Sequence, residues 1–181
     1  MWLELEARQQ AGRVLVVVPS MLVPKWQNEM KERFGFDLVH LKRPDLDMMM
    51  TNIENDSLPQ RFHAVVSLET FRGWSGLQRM AELDPRFDLV IVDEAHQMRN
   101  SNTASNTAGA LLSEWADVML FLTATPLNLG NRDLFNLLQL LQPLEFDDPT
   151  TFVERLKPNA ILNRAGRSLR SEEHTSELQS H

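Results

Sequence analysis

Short apolar runs, each cut off by polar or turn residues, recur along the chain. Arg13–Val18 (RVLVVV), His63–Leu68 (HAVVSL), Leu89–Val92 (LVIV) and Asp117–Thr123 (DVMLFLT) are of this kind. Such runs, rich in β-branched side chains, are the pattern of strands covered on both faces in a parallel sheet. Phe36–Leu41 alternates weakly and is a further strand candidate. Between these runs the spacing turns helical. Leu22, Trp26, Met30 and Phe34 recur at every fourth residue and predict a helix over about Met21–Phe34, with Ser20 as its cap and Trp26 in its packed stripe. Leu134, Leu137, Leu138 and Leu141 predict another from a cap at Asn131 to about Gln142, stopped by Pro143. Ser101–Trp115 is helix-compatible, and Arg72–Pro85 reads as a short helix and loop with Trp74, Leu77 and Met80–Ala81 inward.

Three stretches are less regular. Met1–Ala11 reads as the close of a helix, with Gly12 as its stop signal and further chain expected upstream. Lys42–Arg61, with two prolines and Met48–Met50 in a row, reads as a loosely packed insertion in which methionine fills gaps. Phe146–Leu169 predicts one or two short helices. Strands alternating with helices imply an α/β domain with a mainly parallel sheet.

Composition narrows the class. The 181 residues suffice for one α/β domain, and a hydrophobic share of 43% excludes wholesale disorder. No apolar run is long enough to span a bilayer, and MWLELEARQQ carries acids where a signal peptide carries bases, so a cytoplasmic location without a membrane partner is expected. The lack of cysteine excludes a disulfide framework and a thiolate metal site. A net charge of −7 gives no bulk attraction to nucleic acid, so any DNA contact must be local. Arg170–His181 (RSEEHTSELQSH) resembles translated sequencing-adapter sequence and is expected to be a disordered tail, leaving 1–169 as the domain. It holds two of the five histidines, so no metal site is sought there.

The candidate chemistry sits in Phe87–Asn100, FDLVIVDEAHQMRN. The apolar run stops at Asp93-Glu94, followed by Ala95 and His96. In open α/β sheets, ligands bind just past the carboxyl ends of strands. Acids there can hold Mg²⁺ through its waters while the metal bridges phosphate oxygens, and a neighbouring carboxylate can position or deprotonate an attacking water. A bare acidic pair after a strand is more often a turn cap and a solvated acid. Three other strand ends carry matching punctuation: Pro19-Ser20, Ser67-Leu68-Glu69-Thr70 and Thr123-Ala124-Thr125-Pro126.

In this order and at these distances the motifs resemble the first RecA-like domain of superfamily-two helicases and translocases, Swi/Snf-type branch. VVVPSMLVPKW (Val16–Trp26) resembles motif Ia and VVSLETF (Val65–Phe71) motif Ib. VDEAHQMRN (Val92–Asn100) is similar to motif II, the Walker B box, and LTATPLNLGNRDLFNLLQLLQP (Leu122–Pro143) to motif III with its trailing helix. The resemblance implies a RecA-like P-loop NTPase fold with ATP and Mg²⁺ as cofactors. Asp93 would hold Mg²⁺ through water, and Glu94 would orient or activate the hydrolytic water. His96 would sense the γ-phosphate and couple it to Thr123 and Thr125. Ser20, Ser67 and Thr70 would lie on the nucleic-acid side, supported by Lys25 and Arg99. A hydroxyl beside free backbone N–H groups at a helix start can bind a phosphate without net positive charge. Plain capping is the competing reading for these hydroxyls, as is core packing for Trp26 against base stacking.

The resemblance also implies double-stranded DNA as partner, and a protein displaced or remodelled on it. No GxxxxGK[ST] loop occurs in the sequence, so the ATP site is expected to be incomplete and this chain alone inactive. The rival class is a non-catalytic nucleic-acid-binding or scaffold module of the same fold that lacks a phosphate loop.

Overall fold

A computed structural model of the protein describes residues 1–124 and 130–157. Five strands form one parallel sheet: β1 (Arg13–Val18), β2 (Val39–Leu41), β3 (Phe62–Ser67), β4 (Phe87–Val92) and β5 (Ala116–Phe121). Their order is β2-β3-β1-β4-β5. All four apolar runs and the weaker Phe36–Leu41 candidate are therefore strands, with ends shifted by a few residues.

The buried strands sort their side chains by parity, as the two-residue period requires. Leu15, Val17, Ala64, Val66, Val90 and Val92 face one core; Val14, Val16, Val18, Val65, Leu89 and Ile91 face the other. The first core is covered by α3 (Arg43–Glu54), α4 (Leu68–Arg72), α5 (Leu77–Glu82), α6 (Ala104–Trp115) and α7 (Asn131–Leu141). The second has thinner cover, from α1 (Trp2–Ala7) and α2 (Val23–Phe34). On that side Val118, Leu120 and Leu122 are only partly buried, and β5 is an edge strand among the described residues.

Several expectations are corrected. Ser20 does not cap the long helix. It opens a 3₁₀ turn, Ser20–Leu22, and α2 starts behind Leu22 with Pro24 in its first turn, where a missing N–H costs nothing. The fourfold stripe is buried at Met30 but frays at Phe34, which is 44% exposed. Lys42–Arg61 is no loose insertion: Arg43–Glu54 is a helix, its start fixed by Pro44 and by the Asp45 carboxylate accepting the Lys42 N–H at 2.9 Å. Helix α1 ends at Ala7, and Gly12 lies well beyond it. What Gly12 provides is close approach, since a Cβ there would sit 2.5 Å from the Gln60 carbonyl oxygen. Asn131 is the first residue of α7 rather than its cap. The deeply buried positions of α7 are Phe135, Leu137 and Leu140, and Phe135 meets Phe152 with ring centroids 5.5 Å apart. Residues 149–157 are helical, within the expected Phe146–Leu169 stretch. Thr125 and the tail Arg170–His181 lie outside the described residues.

Candidate active site

The connection leaving β1 carries α2 over one face of the sheet, and that leaving β4 carries α6 over the other. Between two adjacent strands whose connections part in this way, a crevice opens at their carboxyl ends. Asp93 stands in it. Its backbone N–H donates to the Val17 carbonyl at 2.9 Å, which extends the β1–β4 ladder by one residue and fixes the strand tip. Both carboxylate oxygens are held: Oδ1 accepts the Glu94 N–H at 2.9 Å, and Oδ2 accepts the indole N–H of Trp26 at 2.9 Å.

Glu94 turns the chain. Its backbone is left-handed, φ 52° and ψ 43°, a conformation costing a non-glycine residue on the order of 1–3 kcal/mol. The turn is held from both sides. The Ala95 N–H donates to the Leu122 carbonyl at 2.9 Å, and the Leu122 N–H to the Val92 carbonyl at 2.8 Å. The β4–β5 ladder thus runs on past the strands proper and brings half-buried Thr123 alongside the Glu94–Ala95 turn. A 3₁₀ turn, Ala95–Met98, follows, anchored by fully buried Met98. Helix α6 approaches it closely at Gly109, where a Cβ would meet Met98 Sδ at 2.8 Å.

His96 folds back over this turn, its Nδ1 3.0 Å from Glu94 Oε2. The distance is that of an ion pair once the imidazole is protonated, yet neither atom has an aligned hydrogen-bond partner and both are closed off from solvent. Arg99 is not a free base awaiting phosphate. Its Nη1 donates to the His96 carbonyl at 2.9 Å, and its Nε lies 3.6 Å from Asp133 in the first turn of α7. Asn136 Nδ2 donates to the Arg99 carbonyl at 2.7 Å. Motif II is thereby tied to the helix after motif III.

The remaining hydroxyls gather at the carboxyl ends of β1 and β3, where Val18 and Ser67 are in register. Ser67 caps α4: its Oγ accepts the Thr70 N–H at 3.0 Å and donates to Thr70 Oγ1 at 2.9 Å. The Ser20 N–H is already met by Glu69 Oε2 at 3.1 Å, an acid that sequence reasoning gave no role. Ser20 and Lys25 are exposed, and Thr70 is half-buried.

The acidic tip has the donor chemistry that suits Mg²⁺, hard carboxylate oxygen. No group of three or more metal-ligating side chains occurs among the described residues. Mg²⁺ bound with a nucleotide keeps most of its waters and takes one or two carboxylates besides phosphate oxygens, and Asp93 and Glu94, adjacent just past the end of β4, fit that demand.

Trp26 makes a contact with the acidic tip that the spacing pattern hid. Its place in the 22-26-30-34 stripe marks it as packing, and its ring does pack on the second core. The available signal was chemical: a buried indole N–H usually finds an acceptor.

Residues 2–180 match the model of the SNF2-related domain. The RNA polymerase-associated protein RapA of Haemophilus influenzae is 35% identical over 153 residues, which cover 81% of this chain and 16% of that protein. The uncharacterized ATP-dependent helicase YqhH of Bacillus subtilis is 27% identical over 176 residues, covering 94% of this chain and 27% of the relative. The chain thus spans well under a third of the length of these relatives. In fold it resembles the Sulfolobus solfataricus SWI2/SNF2 ATPase core solved in complex with double-stranded DNA, with a TM-score of 0.62 at 16% identity, over 83% of this chain and 29% of that one. The parallel sheet with helices on both faces is accordingly the RecA-like arrangement. With a match running over nearly its whole length, the chain belongs to the SNF2-related domain family.

Proposed function

We propose that this chain is part of the first RecA-like lobe of an ATP-dependent translocase that couples nucleotide hydrolysis to movement on duplex DNA and to the remodelling of proteins bound there. One observation carries the reading. Asp93 and Glu94 stand at the tip of β4, in the crevice beside β1, with the end of β5 bonded to the same turn. A nucleotide seated in that crevice could touch the acids and the Thr123 strand end together.

Asp93 would hold Mg²⁺ through its waters, and the ion would neutralise charge on the phosphate oxygens. Glu94, on its strained turn, would orient the hydrolytic water and take its proton. His96, Thr123 and Thr125 would report the phosphate state, and Arg99 would carry it to α7. Ser20, Thr70 and Lys25 would face the DNA backbone, with Ser67 on the same side capping the turn that carries Thr70. The GxxxxGK[ST] loop, absent from this sequence, would have to come from elsewhere in the protein.

The test is Glu94→Gln in the full-length protein. ATP binding should survive, while DNA-stimulated hydrolysis falls by about 10²-fold or more, the usual size of general-base catalysis. Loss of binding with intact chemistry would reverse the assigned roles. The 181-residue chain alone should show no DNA-stimulated turnover. If the full-length protein binds duplex DNA yet never hydrolyses ATP, the non-catalytic module is the right reading.

A further inference from the structure

The hydrogen bond from Trp26 to Asp93 joins residues 67 positions apart, one on α2 and one at the tip of β4. We infer that Trp26 is a positioning residue for the metal-side carboxylate, its indole N–H holding Asp93 in the orientation that faces the nucleotide. The inference rests on the reading of Asp93 given above and adds a residue to that site.

Three features support it. The first is completeness: with Oδ2 on Trp26 and Oδ1 on the Glu94 N–H, the carboxylate plane is fixed, and each oxygen keeps a further lone pair for a metal-bound water. The second is charge. An indole N–H orients an acid without neutralising it, whereas an arginine or lysine in its place would compete with the cation for the same negative charge. Partners of this kind around metal ligands set ligand orientation and tune affinity.

The third is that burial alone does not force the bond. Trp2 packs in the same core with its indole nitrogen buried and unpartnered, so this fold tolerates an indole N–H without an acceptor. Trp26 differs in position: its ring lines an apolar groove together with Met30, Ile91, Leu120 and Leu122. From there its N–H reaches the Asp93 carboxylate at the strand tip.

The experiment is a Mn²⁺ titration of the full-length protein with saturating ADP, read by electron paramagnetic resonance. Trp26→Phe keeps an aromatic ring and removes the donor. It should weaken Mn²⁺ about 10–100-fold, the usual cost of losing a partner of a metal ligand, while metal-free ADP affinity stays the same. Benzothienylalanine at position 26 replaces only the N–H by sulfur, and should show the same loss if the phenylalanine variant does not fold. Asp93→Asn is measured alongside. If it weakens Mn²⁺ but neither position-26 variant does, Trp26 is packing alone and the inference is wrong. If Asp93→Asn leaves Mn²⁺ affinity unchanged, the reading of Asp93 itself fails, and this inference with it.

Discussion

Nδ1 of His96 lies 3.0 Å from Oε2 of Glu94, both atoms closed off from water and neither in hydrogen-bond alignment. The acid of this pair is also the residue with the left-handed backbone. A left-handed non-glycine backbone and two buried polar atoms without an aligned hydrogen bond thus meet at this turn, and each costs stability that packing elsewhere must offset.

His96→Asn in the full-length protein is therefore expected to uncouple the site rather than empty it. ATP affinity should persist, and the ratio of turnover with and without duplex DNA should fall by about 5–150-fold, the range of ordinary coupling energies. Steady-state hydrolysis measured beside nucleotide binding checks this. An unchanged ratio would remove His96 from the coupling role.

Consecutive methionines on α3 should respond very differently to truncation. Met49 is 2% exposed and sits in the core, while Met48 is 64% exposed. Met49→Ala should cost about 2–5 kcal/mol, and Met48→Ala should stay within about 0.5 kcal/mol. Urea unfolding with unchanged m-values reads the difference. Equal effects would mean that α3 is not docked as described.

That helix shows where sequence reading stops. The strands were legible because full burial on both faces leaves an unbroken apolar run, and the acidic tip because such a run ends so abruptly at Asp93. Helix α3 was not, since three adjacent methionines have no period, although Pro44 and Asp45 stood at its start as signals. The Trp26–Asp93 bond was hidden for another reason: it joins two motifs that each look complete alone, and only the adjacency of β1 and β4 brings them together. Ser20 and Ser67 carry the same residue type at equivalent strand ends, yet only Ser67 caps a helix, because Pro24 delays the start of α2.

Gly12 gives a backbone test. Its carbonyl accepts the Phe62 N–H at 2.8 Å, and a Cβ would press on the Gln60 carbonyl oxygen at 2.5 Å. Neither backbone group can yield without disturbing the start of the β1–β3 ladder. Gly12→Ala should destabilise by about 1–3 kcal/mol, the usual cost of overpacking, visible as a lower urea midpoint. An unchanged midpoint would mean that the Gln60 carbonyl gives way and that close approach is not what Gly12 supplies.

Asp148 supplies the pH dependence. Its side chain precedes the helical residues 149–157 and accepts from the backbone N–H groups of Thr150 at 2.9 Å and Thr151 at 3.1 Å, as well as from both hydroxyls. Hydroxyl donation from Thr150 and Thr151, followed by their backbone bonds, holds its pKa well below the ordinary carboxylate value. A pKa depressed on folding means that the unfolded chain takes up the proton first. The stabilisation is therefore complete above the unfolded value of about 3.9 and is lost as pH falls below it toward the depressed native value. Amide exchange over 149–157 should accelerate selectively as pH drops through that window, after correction for the intrinsic rate. Asp148→Asn, which still accepts hydrogen bonds but does not titrate, should flatten the dependence. An acid response unaltered by that substitution would assign it to other carboxylates.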